Sequence, residues 1–252
     1  MSVTYELDGP VVIVTVDRPE VRNAVDPDTA GRLVDCFERF AEDDALAVAV
    51  LTGAGGHFSS GFDLKALARS EGINLEETGP GPMGPTRMKL DKPVIAAIEG
   101  YAVAGGLELA LWCDLRVAAR DATLGVFNRR FAVPLIDLGT IRLPRMIGEG
   151  RAMDLILTGR PVNAVEALGI GLVERLAPPG SALAEAVALA RTLAELPQGA
   201  LGADRRSLLG QWALGFDDAM RAEYRGGIEV VRSGESQAGA QRFSEGAGRH
   251  GN

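Results

Sequence analysis

One acidic side chain interrupts an apolar run that directly follows two glycines. Residues 107–112 read LELALW, with Glu108 as the one charged side chain, and Gly105 and Gly106 precede them. A helix that starts at these glycines offers unpaired N–H groups at its positive end, and a residue without Cβ lets a ligand oxygen approach them. Residues three apart share a helix face, so the Glu108 carboxyl is predicted to lie beside the Gly105 N–H. The pattern indicates a hydrogen-bond donor for a ligand oxygen next to an acid/base.

A second stretch repeats this plan. Residues 55–64 read GGHFSSGFDL, between the strand-like residues 47–52 and the helix-prone residues 64–69. A lone Gly-Gly-x-Glu equally fits a packing turn with Glu108 at a subunit contact. Two loops of the same plan favour a shared ligand site.

The predicted strands and helices, which hold these loops in place, alternate along the chain. Residues 94–98 are apolar without polar alternation, which is typical of a strand covered on both faces. Residues 3–7 and 11–16 read as a hairpin, and a helix is predicted from Asp26 as N-cap, with Pro27 at its first position. The pattern predicts an α/β fold in which stacked ββα units form a parallel-sheet spiral. Further helices are predicted at residues 184–196, 203–212, 217–231 and 235–243.

Composition limits the class of protein. The 252 residues are 46% hydrophobic and 24% charged, which is typical of a globular protein. The net charge of −8 argues against non-specific binding to nucleic acid. Without a basic-apolar leader or an apolar run of about 18 residues, the chain is predicted to be cytoplasmic and not membrane-bound. Its two cysteines, Cys36 and Cys113, are expected to be reduced, and two histidines provide no zinc-ligand set.

Taken together, the two loops resemble those of the crotonase (enoyl-CoA hydratase/isomerase) family. The match continues in VDRPEVRNA at residues 16–24, LILTGRP at 155–161 and EALGIGLV at 166–173, so it spans roughly residues 1–245. The resemblance implies a crotonase-like spiral with an acyl-CoA site at residues 1–180. It also implies a helical trimerisation region at 181–245, giving a homotrimer or a dimer of trimers. Residues 246–252, which lack core side chains, are predicted to be a flexible tail, and His250 is not expected to be catalytic.

The family's site carries over residue by residue. The backbone N–H groups of Phe62 and Gly105 are implied to bind the thioester oxygen, and Glu108 is implied to be the principal proton-transfer residue. No cofactor is implied beyond coenzyme A as part of the substrate, and no metal. The implied substrate- and CoA-binding residues lie in the first segment, the two loops and the stretch after residue 125: Arg22, Ala24, Ser60, Asp63, Leu64, Lys65, Gly106 and Asn128.

The chain departs from the hydratase pattern at one position. An ungapped alignment on residues 125 and 142–148 puts Asn128 where hydratases carry their second Glu. Asn cannot exchange a proton, although it can hydrogen-bond a water or a substrate hydroxyl. Asp137 lies close to where several non-hydratase crotonases carry a catalytic Asp and is the predicted partner of Glu108; alternatively, it caps a helix that starts near Gly139. The predicted reaction is enoyl-CoA hydration or double-bond isomerisation, and the alternatives are another crotonase reaction or acyl-CoA binding without turnover.

Other candidates are weaker. In the glycine- and proline-rich residues 70–88 no regular element is expected, and Met83 and Met88 are either walls of the acyl pocket or core fillers. Arg129 and Arg130 either meet a substrate carboxylate or are solvated. A serine peptidase is not indicated, because the one histidine near the Ser59 and Ser60 pair stands only two residues before it and the sequence lacks Gly-x-Ser-x-Gly.

Overall fold

The computed structural model describes residues 2–69 and 72–246 of the chain. Its strands are Val3–Asp8 (β1), Val11–Val16 (β2), Val48–Gly53 (β3), Val94–Ile98 (β4), Tyr101–Val103 (β5), Leu115–Ala119 (β6), Thr123–Gly125 (β7), Val162–Asn163 (β8) and Arg175–Ala177 (β9). Its α-helices are Pro27–Glu42 (α1), Leu64–Arg69 (α2), Gly105–Trp112 (α3), Gly139–Ile147 (α4), Glu149–Thr158 (α5), Ala164–Gly169 (α6), Ala182–Ala194 (α7), Gln198–Gly210 (α8), Phe216–Ser233 (α9) and Glu235–Ser244 (α10).

Six strands form the main sheet in the order β1-β2-β3-β4-β6-β9. The first two pair antiparallel as the predicted hairpin, and the others pair in parallel. Every residue of β4 is buried, as the unbroken apolar run predicts for a strand covered on both faces. A second sheet pairs β5 with β7 in parallel and β7 with β8 antiparallel.

The predicted spiral of ββα units is confirmed by two consecutive repeats. In the first, β4 and β5 lead into α3; in the second, β6 and β7 lead through the short 3-10 helix Phe127–Phe131 towards α4. The repeats stack because β4 pairs with β6 in one sheet and β5 pairs with β7 in the other. This stacking places the start of α3 beside the chain that leaves β7.

Local signals in the sequence explain the helix starts. Asp26 is the N-cap of α1, where its carboxylate accepts the Thr29 N–H at 2.9 Å, and Pro27 occupies the first helical position, as predicted.

Residues 72–88 are irregular apart from the 3-10 turn Pro85–Arg87. Within the described residues, every helix is too short or too polar to span a bilayer.

Contacts divide the chain into two units between Leu193 and Ala194. By its contacts α7 belongs to the first unit, apart from its last residue, Ala194. In the second unit α8 packs on α9, and the Glu235 carboxylate accepts the N–H groups of Gly199 and Ala200 at the start of α8. No residue of α9 or α10 is buried. The trimerisation role of these helices stays a prediction, and the tail with His250 lies outside the described residues beyond Gly246.

Candidate active site

The two glycine loops meet at the start of α3. Residue 59 bridges to β5, since the Ser59 N–H donates to the Tyr101 carbonyl at 2.9 Å and the Val103 N–H returns a bond to Ser59. Gly61 has φ +97°, and a Cβ there would lie 2.8 Å from the Gly105 nitrogen. Only a glycine allows both this backbone conformation and this approach. The loops therefore bring residues 62 and 105 together at one place.

Two backbone N–H groups at this junction are left available. Among the hydrogen bonds of the described residues, neither the Phe62 nor the Gly105 N–H is a donor. Gly105 and Gly106 are the first residues of α3, where N–H groups have no carbonyl one turn earlier and the helix dipole is positive. The N–H groups of Phe62 and Gly105 are therefore available to a hydrogen-bond acceptor of a ligand.

Glu108 lies one turn into the same helix and is 3% exposed. Its Oε1 atom accepts the N–H groups of Asp137 at 2.9 Å and of Gly139 at 2.8 Å. Burial and, to a smaller extent, the negative charge of Asp137 raise the pKa of Glu108 to about 8. A carboxyl with this pKa can take up and return a proton near neutral pH.

Asp137 is also buried, and its carboxylate does not cap α4, contrary to the alternative interpretation of the sequence. The residue before α4 is Leu138, with no side-chain capping bond. The Asp137 Oδ1 atom instead accepts the Met83 N–H at 3.1 Å and the Thr86 hydroxyl. Burial raises the pKa of Asp137, and the bond from Thr86 opposes that rise. The residue thus holds Glu108 with its backbone and the loop at Met83 with its side chain.

Asn128 is 6% exposed, and only one of the two polar atoms of its side-chain amide has a hydrogen-bond partner among the described residues. Its Nδ2 group donates to the Val133 carbonyl at 2.8 Å, which fixes the orientation of the amide. The Oδ1 atom is buried without a hydrogen-bond partner among the described residues. Asn128 therefore presents an acceptor that a water or a substrate hydroxyl can satisfy.

The predicted coenzyme A segment and the second loop lie side by side. The Ser60 N–H donates to the Arg22 carbonyl at 2.9 Å, and the Asp63 N–H donates to Val25 at 2.9 Å. Asp63 is occupied structurally, because its carboxylate accepts the Lys65 N–H at 2.9 Å and pairs with Arg18 at 3.2 Å. The same arginine donates to the Ala24 carbonyl, and this role of Arg18 was missed from the sequence. Leu64 and Lys65 are exposed beside this segment.

Other candidates are directed elsewhere. Arg129 donates to the Ile156 carbonyl and Arg130 to the Gly159 carbonyl, so both reach the end of α5. The hydroxyl of Ser59 donates to the Asn23 carbonyl at 2.8 Å. A serine nucleophile would instead donate to a general base. No three His, Cys, Asp or Glu side chains of residues 2–69 and 72–246 lie together as metal ligands would.

Arg142 is a further site residue that sequence reasoning did not assign. Its guanidinium donates to the Thr86 carbonyl at 2.7 Å and to the Asp137 carbonyl at 3.3 Å. Burial lowers the pKa of Arg142, and the charges of Glu108 and Asp137 partly offset that effect. The signal was weak, because a basic residue on a helix normally faces solvent.

Comparison with known proteins identifies the class of this fold and site. The chain matches the enoyl-CoA hydratase/isomerase family model over residues 6–248, and it belongs to that family. It is thus a crotonase-type acyl-CoA enzyme, as the resemblance predicted.

Named relatives are similar over most of the chain. Enoyl-CoA hydratase EchA19 of Mycobacterium tuberculosis is 34% identical over 248 residues, 95% of this chain and 92% of that protein. (E)-benzylidenesuccinyl-CoA hydratase of Thauera aromatica is 43% identical over 197 residues, 77% of this chain and 75% of that protein. The crystal structure of enoyl-CoA hydratase EchA1 from Mycobacterium marinum superposes with a TM-score of 0.91 at 37% identity, covering 97% of this chain and 96% of that one.

Proposed function

We propose that the protein hydrates a 2-enoyl-CoA thioester to the 3-hydroxyacyl-CoA. The observation that carries the proposal is the placement of a buried carboxyl, Glu108, one helical turn after the free N–H of Gly105, with the free N–H of Phe62 alongside. The names of the relatives, hydratases of enoyl-CoA and benzylidenesuccinyl-CoA, support the same reaction class.

The steps follow from these groups. The thioester oxygen accepts the N–H groups of Phe62 and Gly105, which stabilise the enolate as the water oxygen bonds to Cβ. The Glu108 carboxylate takes one proton from that water and then gives it to Cα, so one carboxyl completes the addition and returns to its starting state. We propose that the Oδ1 atom of Asn128, which has no hydrogen-bond partner among the described residues, accepts the other water hydrogen. Double-bond isomerisation needs the same oxyanion donors and the same carboxyl, without the water.

Neither a metal nor a redox cofactor takes part in these steps, and coenzyme A enters only as part of the substrate.

We also propose self-association as a homotrimer or a dimer of trimers through the second unit. Large apolar side chains are exposed on its helices, among them Phe216 at 84% and Tyr224 at 68%, and such side chains are normally covered in a stable assembly. A cytoplasmic location stays a prediction.

Loss of the enoyl thioester's ultraviolet absorbance tests the reaction. Purified protein with crotonyl-CoA should consume the conjugated thioester and form 3-hydroxybutanoyl-CoA, identified by mass. If the protein converts 3-enoyl-CoA to 2-enoyl-CoA but does not hydrate it, the reaction is isomerisation instead. Binding of acyl-CoA without turnover of either substrate would contradict both.

A further inference from the structure

A short buried segment crosses the candidate site. Residues 81–86, called the strap below, are all buried. The strap closes on itself, because Gly81 and Gly84 exchange two backbone hydrogen bonds of 2.9 Å. Its backbone is thus held in one shape although it belongs to an irregular part of the chain.

Met83 extends from the strap onto the start of α3. The side chain is 1% exposed, and a Cβ added at Gly105 would lie 2.6 Å from its Sδ atom. The thioether therefore lies against the residue whose N–H is proposed to bind the thioester oxygen. A bound thioester has to share this space with Met83, whose side chain has three rotatable bonds and adapts readily.

The neighbours of Met83 in the strap face the other way. Pro82 and Gly84 line a cavity of about 240 Å³, together with Phe62 and with Ala30 and Val34 of α1. Most of this lining is apolar and therefore suits an acyl chain. Phe62, whose N–H is the second proposed oxyanion donor, thus borders the cavity, whereas Met83 packs on Gly105 and is not among the residues that line it.

The position of Met83 is set from the far side of the site. The Asp137 carboxylate accepts the Met83 N–H and the hydroxyl of Thr86, a fully buried residue. Arg142 fastens the same two segments by donating to the carbonyls of Thr86 and Asp137. The strap is therefore attached through the residue whose own N–H binds Glu108.

We propose that Met83 is the residue that limits acyl-chain length, so that the protein favours short-chain 2-enoyl-CoA, and that Asp137 and Thr86 are positioning residues that hold it against Gly105. The inference rests on the proposed function and names the substrate class of that site. Truncating Met83 would join the space over Gly105 to the cavity beside Phe62 and would let a longer chain enter.

Met83→Ala tests the size limit, with Met88→Ala as the matched control. The quantity to compare is kcat/KM for trans-2-octenoyl-CoA divided by that for crotonyl-CoA. Met83→Ala should raise this ratio by about tenfold or more, because room for additional methylene groups in a pocket usually changes kcat/KM by at least that factor. Met88 is half-buried, and its carbonyl accepts the Trp112 indole N–H at 3.1 Å. Its truncation should leave the ratio unchanged, and equal ratios in the two variants would overturn the proposal.

Thr86→Val and Thr86→Ser test the positioning role. Valine keeps the shape of the side chain but cannot donate to Asp137, whereas serine keeps the hydroxyl. Thr86→Val should shift the ratio in the same direction as Met83→Ala, by about fivefold for one lost hydrogen bond. Thr86→Ser should stay near the wild-type ratio. A uniform loss of activity in both Thr86 variants, with the ratio constant, would show that the residue serves only stability.

Binding separates this inference from the proposed reaction. Calorimetric dissociation constants for butanoyl-CoA and octanoyl-CoA require no turnover. Wild-type protein should prefer butanoyl-CoA, and Met83→Ala should move that preference towards octanoyl-CoA. If binding shows this shift without hydration of any enoyl-CoA, the proposed reaction fails while the role of Met83 holds. If the protein hydrates enoyl-CoA but Met83→Ala does not shift the binding preference, the proposed reaction holds while the role of Met83 fails.

Discussion

The backbone N–H of Asp137 donates to the Glu108 Oε1 atom at 2.9 Å, and the negative charge of the Asp137 side chain acts on the same carboxyl. The two contributions oppose each other, because the N–H favours the carboxylate of Glu108 while the neighbouring charge favours its protonated form. Burial adds the largest effect and brings the pKa of Glu108 to about 8. The site thus contains one carboxyl that changes its protonation state near neutral pH.

Removing this carboxyl should abolish turnover without abolishing binding. Glu108→Gln keeps the size of the side chain but cannot transfer a proton, so kcat should fall by about 10²–10⁴ or more. The calorimetric affinity for butanoyl-CoA should change little, since the proposed oxyanion donors are backbone groups. Glu149→Gln, at an exposed position of α5, is the control and should behave as wild type. Full activity of Glu108→Gln would remove Glu108 from the mechanism.

The pH profile should report the same group. Glu108 must be deprotonated to accept the proton of water, so kcat/KM should rise with pH and level off above about 8. Asp137→Asn removes a negative neighbour and should move the midpoint to lower pH. If Asp137 is also a second proton-transfer residue, as predicted from the sequence, Asp137→Asn should in addition lower the plateau by about 10²–10⁴.

The proposed oxyanion turn can be tested through shape, because backbone donors cannot be removed by a side-chain substitution. Gly61→Ala would place a Cβ 2.8 Å from the Gly105 nitrogen and should displace one donor, at a cost of about 10²–10³ in kcat. Gly56→Ala is the matched control, since Gly56 also has positive φ, at +79°, but a Cβ there would meet nothing within 4 Å. Equal losses in the two variants would indicate backbone strain rather than loss of the donor.

The assembly is open to a direct measurement. Light scattering at micromolar concentration should give three or six times the chain mass of 26.5 kDa. Phe216→Ser, at the most exposed large apolar position among the described residues, should weaken the assembly if α9 forms the contact. A wild-type mass near 26.5 kDa would contradict the proposed trimer.

Much of the site could be predicted because its parts are local. Strand, glycine turn and helix follow one another within residues 94–112, and the three-residue spacing from Gly105 to Glu108 sets their relative position through helix geometry alone. The Asp26 cap of α1 and the β1-β2 hairpin are equally local. The second loop obeys the same reasoning, so the sequence predicts two turns with free N–H groups.

The rest depends on contacts between distant parts of the chain. Asp137 meets Met83 and Thr86 across more than fifty positions, which no periodicity reports. Sequence patterns therefore left open whether Asp137 caps a helix and whether Met83 and Met88 are walls of the acyl pocket or core fillers. The raised pKa of Glu108 has the same origin, since burial comes from the packing of several segments around one carboxyl.

Neighbouring residues and the matching motifs were enough to predict the fold class, the two glycine turns and the acidic residue beside them. Contacts between distant segments settle three further points: Asp137 turns its side chain to the strap, Arg142 fastens the strap to the start of α4, and Met83 covers Gly105. These are side-chain directions within a packed interior, where the available space and the nearest hydrogen-bond partner select the conformation.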